Sequence, residues 1–521
     1  MHAIRQTASE FSENTSIHGV RYITENGRRW IERFLWIATE VVCVGCAVYM
    51  LMYFLTKFNT NPTMTRVESY FHDVANVPFP AITLCNVNRI FRSKAQHLVD
   101  SLNIPEGFQV ARQDIINLVP LLGQLLAVSE LGTGVTGRSR LERLLKYNNL
   151  SSEAVFEELG QPCLEMIERC SWEGREVNCS TIFTRTMTYL GYCCSFNSQR
   201  DFSLPPSPSD TKQTTNTAFF GYPLGLTVLL NPRTEDYFWG PFASAGVVCM
   251  VHDSNEIATE RAAQAMVSIE RESLVQVLPS LRNGTAALRD VSPERRRCLF
   301  ENENPNSETA EYSHEDCTLE CEAEKIWKMC ACRPMSLPRV RGPKGKSPRD
   351  GPIPCNVSPF SDEKHDMTVK SQVRGDLVPT NPVEAEVVSE QKFQDCGCLA
   401  QCNSVDYELE TTTANFGASR WVRRHFYQDM NATSRSLLHV YFDSQTSALF
   451  VNDLVSNPVQ LMSSLGGIFS LFLGCSFMSA VEVIYFFTVR LWLLVRGDGG
   501  VARGQADLTP GAAANISPPY M

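Results

Sequence analysis

The last long hydrophobic stretch of the chain, residues 459–489, is interrupted by small and charged residues. As one continuous helix its 31 residues would extend about 46 Å, against about 30 Å of hydrocarbon in a bilayer. The interruptions are Gly466, Gly467, Gly474, Cys475, Ser476 and Glu482. Open carbonyl groups and carboxylates at membrane depth are tolerated mainly where they line a water-filled cavity. The pattern fits either a tilted anchor whose glycines pack against other helices or a broken helix that lines a pore.

A second hydrophobic stretch, residues 34–55, contains one charge, Glu40, and is long enough to span a membrane. The segment before Trp30 is polar, so we expect an uncleaved signal anchor. Arginines flank both stretches on the side of the chain termini, which favours a cytoplasmic position for both ends: Arg28, Arg29, Arg33, Arg490, Arg496 and Arg503. We expect a cytoplasmic N-terminus (1–30), a first span (31–55), an extracellular domain (56–455), a second span (456–494) and a cytoplasmic tail (495–521).

The cysteines support this topology. Of 19 cysteines, Cys43, Cys46 and Cys475 lie in the spans and 16 lie between them, where disulfides persist. We expect all sixteen to be paired: Cys85, Cys163, Cys170, Cys179, Cys193, Cys194, Cys249, Cys298, Cys317, Cys321, Cys330, Cys332, Cys355, Cys396, Cys398 and Cys402. Zinc binding at the two Cys-x-Cys pairs is the alternative, but no paired histidines flank them, and we predict no metal site. Candidate glycosylation sites in the same segment are Asn149, Asn178, Asn283, Asn356 and Asn431.

Charge is also concentrated in the middle segment. Residues 56–455 carry 39 Lys and Arg against 49 Asp and Glu, a difference equal to the net charge of −10 of the whole chain. An acidic exterior attracts cations, although many soluble domains carry a similar excess. This charge gives no support to nucleic-acid binding.

Short apolar runs typical of β-strands begin and end the middle segment, and helical patterns lie between them. The strand-like runs are residues 79–86, 226–230, 246–252 and 437–442, and the helical patterns cover residues 153–169 and 317–328. This arrangement predicts an α+β ectodomain with a sheet close to the spans. We expect residues 339–350, rich in Lys, Arg, Gly and Pro, to form a solvated loop.

The chain carries no recognised catalytic signature, so we do not predict an enzyme. A two-pass adhesion or scaffold protein is the other simple interpretation of two spans and a large exterior. Such a protein would have no use for a polar, glycine-interrupted second span.

Several motifs occur in an order that is typical of one family. Thr15-Ser16-Ile17-His18-Gly19 precedes the first span, and the run FPAITLCN at 79–86 follows it. Cysteine-rich segments at 312–332 and 396–402 come next, and Gly474-Cys475-Ser476 lies in the second span. Together these motifs resemble those of the epithelial sodium channel/degenerin superfamily, over nearly the whole chain.

The resemblance implies a trimeric, sodium-selective, amiloride-sensitive channel in the plasma membrane, with palm, finger and thumb regions outside. Sodium would be the permeant ion, without a cofactor. Gly474, Cys475 and Ser476 would form the selectivity filter, and Glu482 would place a ring of three carboxylates around a water-filled vestibule.

The resemblance also assigns gating and blocker positions. His18 and Gly19 would form a segment that supports the pore from the cytoplasmic side. Ser463 matches a site where bulky residues hold relatives open, and Ser470 matches a site of contact with the blocker amiloride.

The trigger is less clearly indicated, because relatives respond to protons, neuropeptides or force, or open unprompted. Proton-gated relatives carry paired histidines after the first span, where this chain has Thr63-Met64, with His72 nearby. Together with the large finger, roughly residues 99–283, this makes the chain most similar to invertebrate channels opened by FMRFamide-like peptides. We therefore expect an extracellular peptide ligand, with acid-gated, mechanosensitive and constitutively open channels as alternatives. A trimeric ATP-gated receptor would need a lysine-rich phosphate site, which the sequence lacks.

Within such a family, the order of the extracellular cysteines suggests three nested pairs: Cys298 with Cys402, Cys317 with Cys398 and Cys321 with Cys396. Cys85 should pair with Cys193 or Cys194. Cys43, Cys46 and Cys475 should remain free thiols.

Overall fold

The structure of the protein is a computed structural model. It describes residues 2–496 except 26, 61, 106–107, 109, 127–134, 201–214, 305–310, 331–336, 338–395, 418–424, 428–431 and 456–457. The chain divides into two compact units. We call Met1–Met64 with Leu454–Met521 the terminal unit, and Thr65–Asp453 the central unit.

Helices occur in both units. Within the described residues they are α1 (His2–Asn14), α2 (Val20–Thr24), α3 (Trp30–Thr60), α4 (Arg92–Ser101), α5 (Arg112–Leu118), α6 (Val135–Tyr147), α7 (Ser152–Leu159), α8 (Cys163–Met166), α9 (Cys179–Ile182), α10 (Pro293–Arg296), α11 (His314–Cys330), α12 (Pro458–Leu473), α13 (Phe477–Tyr485) and α14 (Leu491–Arg496).

The strands build two main sheets. In the described part of the chain they are β1 (Thr63–Asp73), β2 (Ala81–Asn86), β3 (Ile90–Phe91), β4 (Ile167–Trp172), β5 (Arg175–Val177), β6 (Phe183–Thr188), β7 (Gly191–Phe196), β8 (Leu226–Leu230), β9 (Tyr237–Trp239), β10 (Gly246–His252), β11 (Ala263–Ser268), β12 (Arg271–Gly284), β13 (Cys298–Leu299), β14 (Ala400–Gln401), β15 (Ser404–Asn415), β16 (Ser436–Phe442) and β17 (Thr446–Leu454). The larger sheet has the order β1-β17-β12-β16-β8-β4-β5, with β15 also pairing with β12. The smaller sheet has the order β11-β10-β2-β7-β6.

The continuous apolar run of β2 is explained by burial on both faces of the smaller sheet. All six of its residues are buried. Ile82 and Leu84 belong to the main core, whereas Cys85 points into a smaller cluster with Val248 and Met250. Because side chains alternate along a strand, a strand covered on both sides is mostly apolar, and the buried polar residues Thr83 and Asn86 have hydrogen-bond partners. At the centre of the main core, Phe79 packs edge-to-face on Trp172, Phe196 and Phe442.

Among the described cysteines of the central unit, six disulfides are formed: Cys85–Cys193, Cys163–Cys194, Cys170–Cys179, Cys298–Cys402, Cys317–Cys398 and Cys321–Cys396. The last three are the nested pairs expected from the sequence, and Cys85 takes the first of its two expected partners. Because Cys396 and Cys398 are consumed in disulfides, the zinc alternative is excluded at that pair. Cys330, Cys332 and Cys355 lie outside the side chains that the structure describes.

The expectation that all sixteen cysteines pair is wrong at Cys249, which is a buried free thiol. On β10 its side chain points into the main apolar core, opposite Leu84 of β2 and Ala265 of β11. Burial raises the pKa of this thiol to about 12. Cys249 therefore acts as a small core residue. Cys43, Cys46 and Cys475 are free, as expected.

A helical layer forms a second core in the central unit, from α4, α5, α6 and α7. Its buried residues include Leu98, Ile115, Leu144 and Phe156. The predicted helix over 153–169 is too long. The chain leaves α7 at Gly160, and β4 begins at Ile167 because the apolar residues there pair with β8. The other predicted strands and the helix at 317–328 coincide with β2, β8, β10, β16 and α11. The predicted loop 339–350 lies outside the described residues.

Among its described residues, the terminal unit contains two helical stretches that are long and apolar enough to cross a bilayer, Trp30–Thr60 and Phe477–Arg496. A shorter apolar helix, Val459–Leu473, precedes the second of them. Many large apolar side chains of α3 are exposed, among them Phe34, Val41 and Tyr49. This outward-facing apolar surface is typical of helices that contact lipid.

Candidate ion pathway

The last hydrophobic stretch, residues 459–489, is broken at the tripeptide predicted as a filter. Helix α12 ends at Leu473, Gly474 adopts φ +63°, and α13 begins at Phe477. The Gly474 N–H donates to the carbonyl of Ser470 at 3.0 Å, and the Cys475 N–H donates to that of Phe469 at 3.3 Å. A left-handed residue at this position closes the helix end, and glycine adopts it without steric cost. The negative end of the α12 dipole and the positive end of the α13 dipole both lie at the break.

Ser476 is the N-cap residue of α13. Its hydroxyl accepts a hydrogen bond from the Ser479 N–H, and the Ser479 hydroxyl accepts one from the Ser476 N–H at 3.0 Å. This reciprocal cap satisfies backbone donors that a helix start leaves open. Both sides of the break are therefore held by local bonds. The Ser476 side chain is exposed in the single chain.

The predicted gating segment contacts this break directly. The His18 N–H donates to the carbonyl of Leu473 at 3.2 Å. A Cβ atom added to Gly474 would lie 2.3 Å from His18 Nδ1, so the imidazole occupies the space that any side chain at 474 would need. Gly19, with φ +84°, lies against Glu40 of α3, and a Cβ there would lie 1.6 Å from a Glu40 carboxylate oxygen. The positive φ at both positions favours glycine, and at Gly474 the His18 ring also leaves no room for a side chain.

Glu482 is bonded to the same N-terminal segment. Its Oε2 accepts from the Ser16 N–H at 3.0 Å and from the Ser16 hydroxyl at 3.1 Å. The Ser16 and Ser479 hydroxyl oxygens lie 2.6 Å apart. Because a carboxylate only accepts, the consistent arrangement has Ser479 donating to Ser16 and Ser16 donating to Glu482. The carboxylate is therefore fixed by the chain's own N-terminus.

The first helix holds the other end of the second span. Arg490 Nε donates to Glu10 at 2.9 Å. Phe11 of α1 packs edge-to-face on Phe486 and Phe487, which begin a π-helical turn covering Phe486–Arg490. Such turns are frequent at functional sites. Helix α1 thus fastens the N-terminus to the end of the span.

Two faces of α12 differ in polarity and exposure. Leu461, Leu465 and Ile468 recur on one side at helical spacing and are partly or fully buried, and α12 packs against α3. Ser463 and Ser470 lie on the opposite side and are exposed. A polar face on an apolar helix is available to water or to another chain.

Several contacts of this site were missed by reasoning from the sequence. Ser16, Ser479, Glu40 and the Glu10–Arg490 pair were not assigned roles. Glu40 could have been suspected, because an isolated carboxylate in an apolar run is costly unless it has a purpose. The other contacts join residues hundreds of positions apart, and no local pattern indicates them.

A group of carboxylates lies in the central unit, after β10 and at the start of α11. Burial, together with Asp253, Glu315 and Asp316, raises the pKa of Glu256 to about 8. Glu256 accepts from the Ser313 hydroxyl at 3.3 Å, and Asp316 pairs with Arg200. Burial also lowers the pKa of the neighbouring His252 to about 4. Within the described residues, no group of three or more His, Cys, Asp or Glu side chains has the geometry of a metal site.

Three of the candidate glycosylation sites are described. Asn149, Asn178 and Asn283 are all exposed. Asn356 and Asn431 lie outside the described residues.

Comparison with known families gives a match to the model of the amiloride-sensitive sodium channel family over residues 11–486. The chain belongs to this family. The match includes the first hydrophobic stretch, the central unit, the helix break and most of the last hydrophobic stretch, and the family is that of the epithelial sodium channels and degenerins.

The relatives of this sodium channel family member include channels of insects and mammals. The sodium channel protein Nach of Drosophila melanogaster is 27% identical, over 94% of this chain and 88% of its own length. Pickpocket protein 28 of the same species is 25% identical, over 94% and 79%. The mouse (Mus musculus) bile acid-sensitive ion channel is 23% identical, over 93% and 88%. A cryo-EM structure of a proton-activated chloride channel aligns over 89% of this chain and 98% of its own, with 10% identity and a TM-score of 0.26.

Proposed function

We propose that this chain forms a sodium-selective, amiloride-sensitive channel of the plasma membrane, with three copies around one pore and both termini in the cytoplasm. The observation that carries the proposal is the break at Gly474–Ser476, closed on one side by His18. Because the chain belongs to the amiloride-sensitive sodium channel family, its general class of activity is that of a sodium channel.

In the proposed pore, the carbonyl groups at the break and the Ser476 hydroxyl replace part of the hydration shell of sodium. A small, hard cation prefers oxygen ligands. Glu482 adds negative charge beyond the filter, and the Ser16 bonds fix where that charge lies. The exposed polar face of α12, with Ser463 and Ser470, lines the outer pore.

Gating is proposed to act through the His18–Gly19 segment, because its contacts join the filter to Glu40 on the other span. An extracellular FMRFamide-like peptide is the proposed trigger, binding in the finger. This trigger is proposed from the family resemblance, because none of the relatives named above has a name that refers to such a peptide.

An acid-modulated channel is a second candidate, favoured by the carboxylate group around Glu256. A carboxyl with a pKa of about 8 changes charge near physiological pH. Loss of its proton would place a new negative charge beside Asp253, Glu315 and Asp316. Movement of these neighbours is the expected response.

Current recordings from cells that express the chain alone test both candidates. Steps in pH and application of an amidated peptide are compared with the resting current, each with and without amiloride. Amiloride-sensitive sodium current under any condition supports the proposal, and the effective condition identifies the trigger. If the chain reaches the surface and carries no current under any of them, the proposal of a homomeric channel is wrong.

A further inference from the structure

A small cavity of about 20 Å³ lies in the central unit, where the turn after β2 meets α7 and β7. Asn88, Arg89, Phe156, Gln161, Tyr192 and Cys193 are among the residues that line it. This volume is large enough for one small solute of about the size of a water molecule.

Arg89 is only 4% exposed and has an unusual lack of partners. Its Nε and Nη2 atoms have no hydrogen-bond acceptor, and Nη1 reaches only the sulfur of Cys193, 3.8 Å away. No carboxylate of the described residues forms an ion pair with it. A buried charge is normally paired or hydrogen-bonded, so this guanidinium indicates a missing acceptor.

Asn88 adds a second donor beside it. The Asn88 Oδ1 accepts from the backbone N–H groups of Phe238 and Trp239, each at 3.0 Å. These two bonds fix the orientation of the amide. The Nδ2 group is therefore a donor, and it too is buried without a partner.

We propose that the cavity binds a small inorganic anion, chloride in the extracellular medium, held by Arg89 with Asn88 as a second donor. The donors at the cavity have no acceptor of their own, and an anion accepts from all of them while balancing the charge of the guanidinium. Burial without a counter-charge also lowers the pKa of Arg89 to about 9. A bound anion opposes that shift, because its negative charge favours the protonated guanidinium. This site is independent of the proposed pore and of conduction.

Bromide substitution tests occupancy directly in the full-length chain. Crystals grown or soaked in sodium bromide in place of sodium chloride are measured at the bromine absorption edge. We expect an anomalous peak in the cavity, within hydrogen-bonding distance of Arg89 Nε. A cavity without such a peak, including one that holds only water, overturns the proposal.

Thermal unfolding of the same chain gives a second measurement. In chloride, with gluconate added to keep the ionic strength constant, the melting temperature should rise by about 2 °C for each tenfold increase in chloride above its Kd. Arg89→Met should abolish this dependence. The control Arg185→Met removes an exposed arginine that stacks on Tyr192, a residue of the same cavity, and should retain it.

An equal chloride dependence in Arg89→Met and in the unmodified chain overturns the proposal. If Arg89→Met does not fold, the bromide measurement on the unmodified chain decides the question alone.

Discussion

The central and terminal units hold themselves together in different ways. The central unit has a core that covers both faces of β2, and six disulfides cross it. The terminal unit turns apolar side chains such as Phe34 and Tyr49 outward, and its specific contacts are a few polar bonds around Ser16, His18 and Glu482. The central unit is stabilised by its own core and disulfides. The terminal unit needs lipid, and we propose other copies of the chain, to cover its surface.

This difference separates stability from conduction. Burial and disulfides in the central unit resist unfolding, so we expect substitutions there to change mainly the melting temperature. The terminal unit has close backbone contacts at two glycines and an exposed polar helix face. We expect substitutions there to change mainly the sodium current.

The largest effect is expected at Gly474 of the terminal unit. Gly474→Ala places a Cβ where the His18 ring lies and forces a left-handed alanine, a strain of roughly 1–3 kcal/mol in each subunit. We expect sodium current to fall at least about tenfold at equal surface expression. Gly45→Ala on α3, where no atom lies within 4 Å of the new Cβ, is the control and should retain the current. Normal current in Gly474→Ala would contradict the close contact with His18.

Within the central unit, paired and free cysteines should differ sharply. Removing the Cys298–Cys402 disulfide by a double change to alanine should lower the free energy of unfolding by about 2–5 kcal/mol. Cys249→Ala should cost about 1 kcal/mol, since it removes one buried sulfur. Thermal unfolding measures both. Mass spectrometry after alkylation of the unfolded, unreduced protein should find Cys249 modified, and a disulfide at Cys249 would show that the core assignment is wrong.

The pH dependence of the central unit should reveal Glu256. Its pKa is raised from 4.5 to about 8 on folding, so the folded state holds a proton that the unfolded state releases. Its contribution to stability is complete below pH 4.5 and is lost as pH rises to about 8, by up to about 1.4 kcal/mol per pH unit. His252, with its pKa lowered to about 4, acts oppositely and loses stability as pH falls from 6.5 to 4.

The interval from pH 6.5 to 8 therefore isolates Glu256. Glu256→Gln should flatten the fall in unfolding free energy there, and Glu408→Gln, at an exposed carboxylate of β15, should leave it unchanged. If the slopes of the unmodified chain and Glu256→Gln coincide, the carboxyl is not protonated in the folded state at pH 7.

The smallest expected effect concerns block at the polar face of α12. Ser470→Trp should raise the amiloride concentration for half block by about tenfold, which corresponds to about 1.4 kcal/mol. Ser463→Trp should instead increase the resting current. Current recordings with graded amiloride measure both. Unaltered block in a working Ser470→Trp channel would remove Ser470 from the outer pore.

The sequence predicted the central unit where pattern and burial agree. The run FPAITLCN is largely apolar and β2 is buried at every position because it is covered on both faces, and α11 carries Cys317 and Cys321 at helical spacing. The prediction failed at Cys249, because a count of cysteines does not show that its side chain on β10 points into the apolar core. It failed again at residues 167–169, where pairing with β8 overrides a helical pattern.

In the terminal unit, the sequence located the residues but not their contacts. The Gly474–Ser476 motif coincides with the observed helix break. The bond from Ser16 to Glu482 could not be predicted, because a serine in a polar segment has many possible partners and these two lie 466 residues apart. Contacts between residues so far apart in the sequence are seen only in the folded structure.

We propose that sodium passes the break at Gly474–Ser476 and the carboxylate of Glu482. Reversal potentials in mixed sodium and potassium test it most directly, for the unmodified chain, Ser476→Ala and Glu482→Gln, with Ser434→Ala in the central unit as the matched control. We expect a sodium-selective channel whose reversal potential moves toward that of a non-selective cation pore in Ser476→Ala. We expect Glu482→Gln to lose cation conductance, and to lose more at low salt, where charge is less screened. Reversal potential and conductance that stay the same in both variants would contradict the account and place the filter elsewhere.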